Sequence, residues 1–175
     1  MKNYPNILLI AGTGRNVGKT LLACEIIKRL SKTTAVIGVK ISSHQHPIEP
    51  GQKIIANTAH YQIIEESLTT TKDSSRMLQA GTNKVYYIQT NHENLEEALQ
   101  NIVFELAGNA VICESGGLHH FIKPGIFLLV CGKDIPENKR HFLNYNPVLV
   151  RSVNGIPDFD TRRIQFHANS FTLIS

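Results

Sequence analysis

The chain has 175 residues, 42% of them apolar, with a formal net charge of +4, which suits one packed domain and excludes a disordered chain. No apolar run approaches the ~18 residues that cross a membrane, no signal-peptide pattern opens the chain, and Cys24, Cys113 and Cys131 are scattered without CxxC spacing; a cytoplasmic location with structural thiols is expected. The basic residues are dispersed, with few aromatics beside them, so nucleic acid is not an expected partner, while anionic small ligands suit the charge.

In chain order, residues 6–11 read as a buried strand and 20–30 as a helix whose broad apolar face carries Leu22, Ile26 and Leu30. Residues 35–41 read as a second strand. Residues 53–66 differ: two β-rich runs flank a polar centre, which predicts a hairpin inserted at a sheet edge. Residues 72–76 hold a helix start. Further strands are expected at 84–89, 110–114, 126–131 and 148–153, with a helix between the first two of these, capped by Asn91 and stopped at Gly108. Near-continuous apolar strands alternating with helices predict an α/β fold, a mostly parallel sheet covered on both faces.

The junction between the first strand and the first helix reads Gly12-Thr13-Gly14-Arg15-Asn16-Val17-Gly18-Lys19-Thr20, followed by Leu21. A glycine-rich turn there exposes backbone N–H groups, and the helix N-terminus adds positive potential, so a phosphate is favoured. Gly18 lets the backbone approach the phosphates. Lys19 places an ammonium on β/γ-oxygens, and Thr20 offers a hydroxyl to Mg²⁺. The spacing departs from GxxxxGK[ST], which needs glycine where Thr13 stands. A phosphate loop works with an acid at the end of another core strand. Glu114, directly after an apolar run and before Gly116-Gly117, fits that role; Asp134 reads as a loop acid or cap.

The loop and "ESGG" resemble dethiobiotin synthetase, in which an extra residue precedes GKT. A second resemblance covers more of the chain, in patches from residue 7 to about 164. Lys40, His44, His46, Glu49, Pro50 and Gly51 resemble the segment after the second strand in the MobB family, accessory GTP-binding proteins of molybdopterin-guanine dinucleotide biosynthesis. Lys72, Asp73, Ser74, Arg76, Ala80 and Gly81 are similar to that family's K-D-S-x-R-x-x-x-A-G, and Ile156, Pro157, Phe159 and Asp160 to its closing I-P-x-F-D. The chain departs from the family in having Glu49 for aspartate, about twenty extra residues before Lys72, and Glu114-Ser115-Gly116-Gly117 for E-G-F-K. The resemblance implies a P-loop NTPase fold in a single domain, slow hydrolysis of GTP or ATP with Mg²⁺, and a nucleotidyltransferase-type cofactor-biosynthesis protein as partner. Glu49 joins Thr20 and Glu114 as a metal candidate through this resemblance.

Other residues keep alternatives open. Lys40 ends a strand beside the phosphate loop and can contact a phosphate or an acidic substrate, or be a solvated strand end. Asn154 reads either as a contact to the base edge or as part of an Asn-Gly turn. His44, His46, His119 and His120 form two pairs expected near one crevice, as metal ligands, substrate contacts or solvated loop side chains. Asp73 and Arg76 either contact a phosphate or partner, or form a local i,i+3 pair. The reading is a Mg²⁺-dependent triphosphate-binding protein with Lys19, Lys40 and Glu114 in catalytic roles. An ATP-dependent ligase and a nucleotide-gated binding module are its rivals. The apolar hairpin residues Ile54, Ile55, Tyr61, Ile63 and Ile64 lead us to expect pairing with a second copy in a homodimer.

Overall fold

The structure, a computed structural model, describes residues 1–44 and 46–174. Its centre is a nine-stranded sheet built on β1 (Lys2–Gly12), β2 (Val36–Ser42), β5 (Lys84–Thr90), β6 (Ala110–Glu114), β7 (Ile122–Cys131) and β8 (Val148–Val153). These six run parallel in the spatial order β5-β2-β6-β1-β7-β8. Ile7 to Ala11 are all buried, because this part of β1 is covered on both faces and each side chain in it meets apolar neighbours. Alternate residues feed two cores. Ile7, Leu9 and Ala11 join the one packed by α3 (Leu95–Leu106); Leu8 and Ile10 join the one packed by α1 (Lys19–Leu30) and α2 (Asp73–Gln79).

The residues of 53–66 form β3 (Lys53–Asn57) and β4 (Tyr61–Glu65), an antiparallel hairpin. β4 also pairs antiparallel with β5, so the hairpin extends the sheet's own edge and leaves β3 outermost. The register slips between Ile54 and Ala56, where Ile55 is the extra residue of a bulge. Tyr61, Ile63 and Ile64 are buried and Ile54 is 46% exposed. The other edge ends in β9 (Ile156–Asp158), a tight hairpin return from β8 through Asn154 and Gly155, both at positive φ.

Four features were not expected from the sequence. β7 starts at Ile122, four residues early, alongside a register shift in β1 between Tyr4 and Leu8. A 3-10 segment occupies Glu137–Tyr145. β9 extends the sheet, and β10 (Ile164–His167) and β11 (Ser170–Leu173) form a separate hairpin that adds Ile164 and Phe171 to the α1 core. No helix among the described residues is long and apolar enough to cross a membrane.

Candidate functional site

The carboxyl ends of β1, β2 and β6 lie side by side, because β6 pairs with both of the others. Beyond β1 the chain turns through residues 13–18 into α1. Thr13 N–H donates to Val130 O at 3.0 Å, which ties the start of this loop to β7. Gly18 caps the helix at φ 97° and offers no side-chain cap, so N–H groups of the first turn stay available to a ligand. A Cβ on Gly18 would lie 2.4 Å from Gly155 O, so the β8–β9 turn rests directly on the loop and only glycine fits. A Cβ on Gly12 would meet the Lys19 stem at 2.7 Å, so the missing side chain makes room for that lysine. Lys19 curls back and donates to Gly14 O at 2.8 Å. Burial lowers its pKa, opposed by the charge of Glu114 and reinforced by that of Lys40.

Beneath the loop sits a compact charge network. The sheet register places Glu114 opposite Lys40 on one side and Ile10 on the other. Glu114 is 2% exposed. Its Oε1 accepts from Lys40 Nζ at 2.6 Å, and its Oε2 accepts from the Thr20 hydroxyl at 2.8 Å. Lys40 Nζ also lies 2.9 Å from Asp73 Oδ2, so one ammonium bridges two carboxylates. Burial works to lower the pKa of Lys40, but the charge and hydrogen bond of Glu114, then those of Asp73, raise it overall. Asp73 responds in the opposite sense. Burial works to raise its pKa, but the Lys40 charge and hydrogen bond and the Arg76 charge hold it below the ordinary carboxylate range.

This network forms part of the wall of a cavity of about 1020 Å³. Arg15, Asn16, Gly18, Lys19, Thr20, Leu21, Lys40 and Glu114 line it. Gly12, Thr13, Gly14, Val17 and Asn154 do not, although Gly155 does. Asn154 is exposed at φ 51°, a turn residue. Glu49 is also apart: its carboxylate pairs with Lys72. The carboxylate that joins Thr20 and Glu114 is Asp73, at the first position of α2. The sequence placed Asp73 at a helix start and offered a pair with Arg76 as one of two alternatives; the structure puts the two at 3.7 Å. The missed signal was Glu66. This buried carboxylate accepts from Ser67 N–H, Leu68 N–H and, at 2.6 Å, the Ser74 hydroxyl, and so docks the start of α2 against the site.

The two histidine pairs are separated. His44 and His46 line the cavity. His119 and His120 sit in the 3-10 turn Leu118–His120, behind Gly116-Gly117, among Phe127, Phe142 and Tyr145. His92, on the cavity wall, approaches His120 with ring centroids 5.0 Å apart. Burial, then the neighbouring imidazoles, push the pKa of His119 down to about 3, so it is neutral.

Comparison of the chain with protein-family models, with curated proteins and with solved structures gives no match.

Proposed function

We propose that the chain is a P-loop nucleoside triphosphate-binding protein that hydrolyses GTP or ATP slowly. The observation that carries this reading is the placement of Thr20, Lys40 and Glu114 under a glycine loop that leads into an uncapped helix N-terminus. The loop N–H groups and the Lys19 ammonium would hold the β- and γ-phosphates and stabilise charge that develops on the transferred phosphoryl group. Thr20, Glu114 and Asp73 present hydroxyl and carboxylate oxygens, a hard donor set that fits Mg²⁺. When bound there, Mg²⁺ would neutralise phosphate charge. Lys40 holds both carboxylates in place until the ligand arrives, and its charge favours the ionised form of Asp73.

The patches that resemble the MobB family make an accessory role in molybdenum cofactor biosynthesis the proposed setting, with a nucleotidyltransferase-type protein as partner. A second reading, an ATP-dependent ligase like dethiobiotin synthetase, is supported by the extent of the cavity. It runs on from the loop past Lys40 to His92, Gly116 and Gly117, and about 1020 Å³ is at the upper end of single-ligand sites. That leaves room beside a nucleotide for an acidic substrate at Lys40. We further infer a homodimer through the open outer edge of β3, where Ile54 is exposed.

A thermal-shift panel of ATP, GTP and their diphosphates with Mg²⁺ tests the nucleotide reading, since a ligand that binds the native state raises the unfolding temperature. Triphosphates are expected to stabilise the wild type. Lys19→Ala should lose at least tenfold in triphosphate affinity, about 1.4 kcal/mol. Equal calorimetric affinity for wild type and variant would sink the phosphate-loop assignment. Product analysis with candidate acids separates the ligase from the simple hydrolase.

A further inference from the structure

We propose that His119, His120 and His141 form a three-histidine site for a borderline divalent transition-metal ion of the zinc class, separate from the phosphate site. One ring nitrogen from each lies within 4.8 Å of the others, although the residues come from two different segments. His119 and His120 belong to the turn after β6, and His141 to the 3-10 segment Glu137–Tyr145.

The decisive observation is His119. Its side chain is 0% exposed, and among the described residues neither ring nitrogen has a hydrogen-bond partner. A buried imidazole with both nitrogens unsatisfied is costly, and a metal ion at one of them removes part of that cost. The other two rings are already oriented for ligation. His141 Nδ1 lies 3.0 Å from the Asn138 carbonyl, which can only accept, so Nδ1 carries the proton and Nε2 presents a lone pair. His120 Nδ1 shares a 2.7 Å hydrogen bond with the Tyr145 hydroxyl, which leaves its Nε2 for the metal. Outer partners of this kind fix the ring and tautomer of ligating histidines.

Imidazole donors select zinc-type ions over Mg²⁺ or Ca²⁺, which prefer oxygen. Zinc bonds of about 2.0–2.1 Å in tetrahedral geometry would draw the nitrogens to roughly 3.3 Å of one another. His120 and His141 can supply that contraction, being less buried than His119. Three protein ligands leave a fourth position for water. The ion would staple residues 137–145 to a turn that begins just after Glu114, and His92 links the cluster to the cavity wall.

The test is calorimetric titration of Zn²⁺ into the nucleotide-free full chain. His119 is left intact because its ring packs in the core. Wild type and a His44→Ala/His46→Ala variant should each bind one Zn²⁺ per chain. His120→Ala and His141→Ala, checked for native circular dichroism, should each lose at least tenfold in affinity. Co²⁺ should give wild type, but not His141→Ala, the visible absorption of a tetrahedral site. No Zn²⁺ binding by wild type, undiminished binding by either single variant, loss confined to the His44/His46 variant, or a spectrum of hydrated Co²⁺ would each overturn the site.

Discussion

Lys40 and Glu114 are register partners on adjacent parallel strands, and the ammonium of one lies 2.6 Å from the carboxylate of the other. The pairing of β2 with β6 therefore also sets an ion pair at the sheet's carboxyl edge, where open α/β sheets bind ligands. Glu114 is buried and Lys40 mostly so, and Thr20 and Asp73 add further hydrogen bonds to the pair. It is thus a preformed polar site and not a surface bridge of little consequence.

We predict that Glu114→Gln, which keeps the side chain's size and removes its charge, uncouples Mg²⁺ from nucleotide binding. Triphosphate affinity without Mg²⁺ should change little, and the added affinity in its presence should shrink. The variant should also lose about 1–3 kcal/mol of stability, because Lys40 and Thr20 lose a charged buried acceptor. Paired titrations with and without Mg²⁺ decide it; a parallel fall in both would remove Glu114 from the metal site.

Asp73 gives a pH signature. Its pKa is lowered in the folded state, so it contributes stability above its unfolded value of about 3.9, and that contribution is lost as the pH falls through the folded value. Lys40 is raised, so its contribution is present below about 10.4 and is lost as the pH rises through its folded value. Urea unfolding should show wild type more stable than Asp73→Asn at neutral pH, with the gap closing below pH 4. A gap that persists at the lowest pH would mean that Asp73 does not act through its charge.

Gly18→Ala should cost more than about 1 kcal/mol, since the added carbon meets Gly155 O and φ stays positive. Nucleotide affinity should fall with it, because the β8–β9 turn must shift off the loop. A variant with wild-type unfolding midpoint and wild-type affinity would contradict the contact between Gly18 and Gly155.

Ile54→Lys should convert the proposed dimer to a folded monomer, read by light scattering. Ile63 is unsuitable for that test: it is fully buried, and a lysine there would damage the core. A wild type that is monomeric at high concentration would leave β3 as a bare sheet edge.

Much of the sheet was legible because parallel strands buried on both faces read as apolar runs. Residues 110–114 were placed at their observed bounds for that reason; 148–153 were too, although β8 is buried on one face only, with Leu149 and Val153 exposed. The place of Glu114 at the end of β6 followed; Lys40 instead lies two residues inside the end of β2. What did not follow was distance: that Asp73 reaches Lys40 while Glu49 turns to Lys72 depends on how Glu66 folds the preceding loop. The histidine pairs failed for a similar reason. His119 is sealed by Phe142 and Tyr145 from a 3-10 segment with no strong periodic signal. The short C-terminal strands β10 and β11 alternate over too few residues to stand out.

The seat of the β8–β9 turn on Gly18 has a consequence for the order in which the molecule is made. The loop is synthesised well before Gly155 and the strands that flank it. A nascent chain therefore carries the glycine loop without the backbone that fixes its shape. The loop reaches its final packing only once β8 and β9 have emerged, so this contact cannot nucleate the folding of the segments made before them.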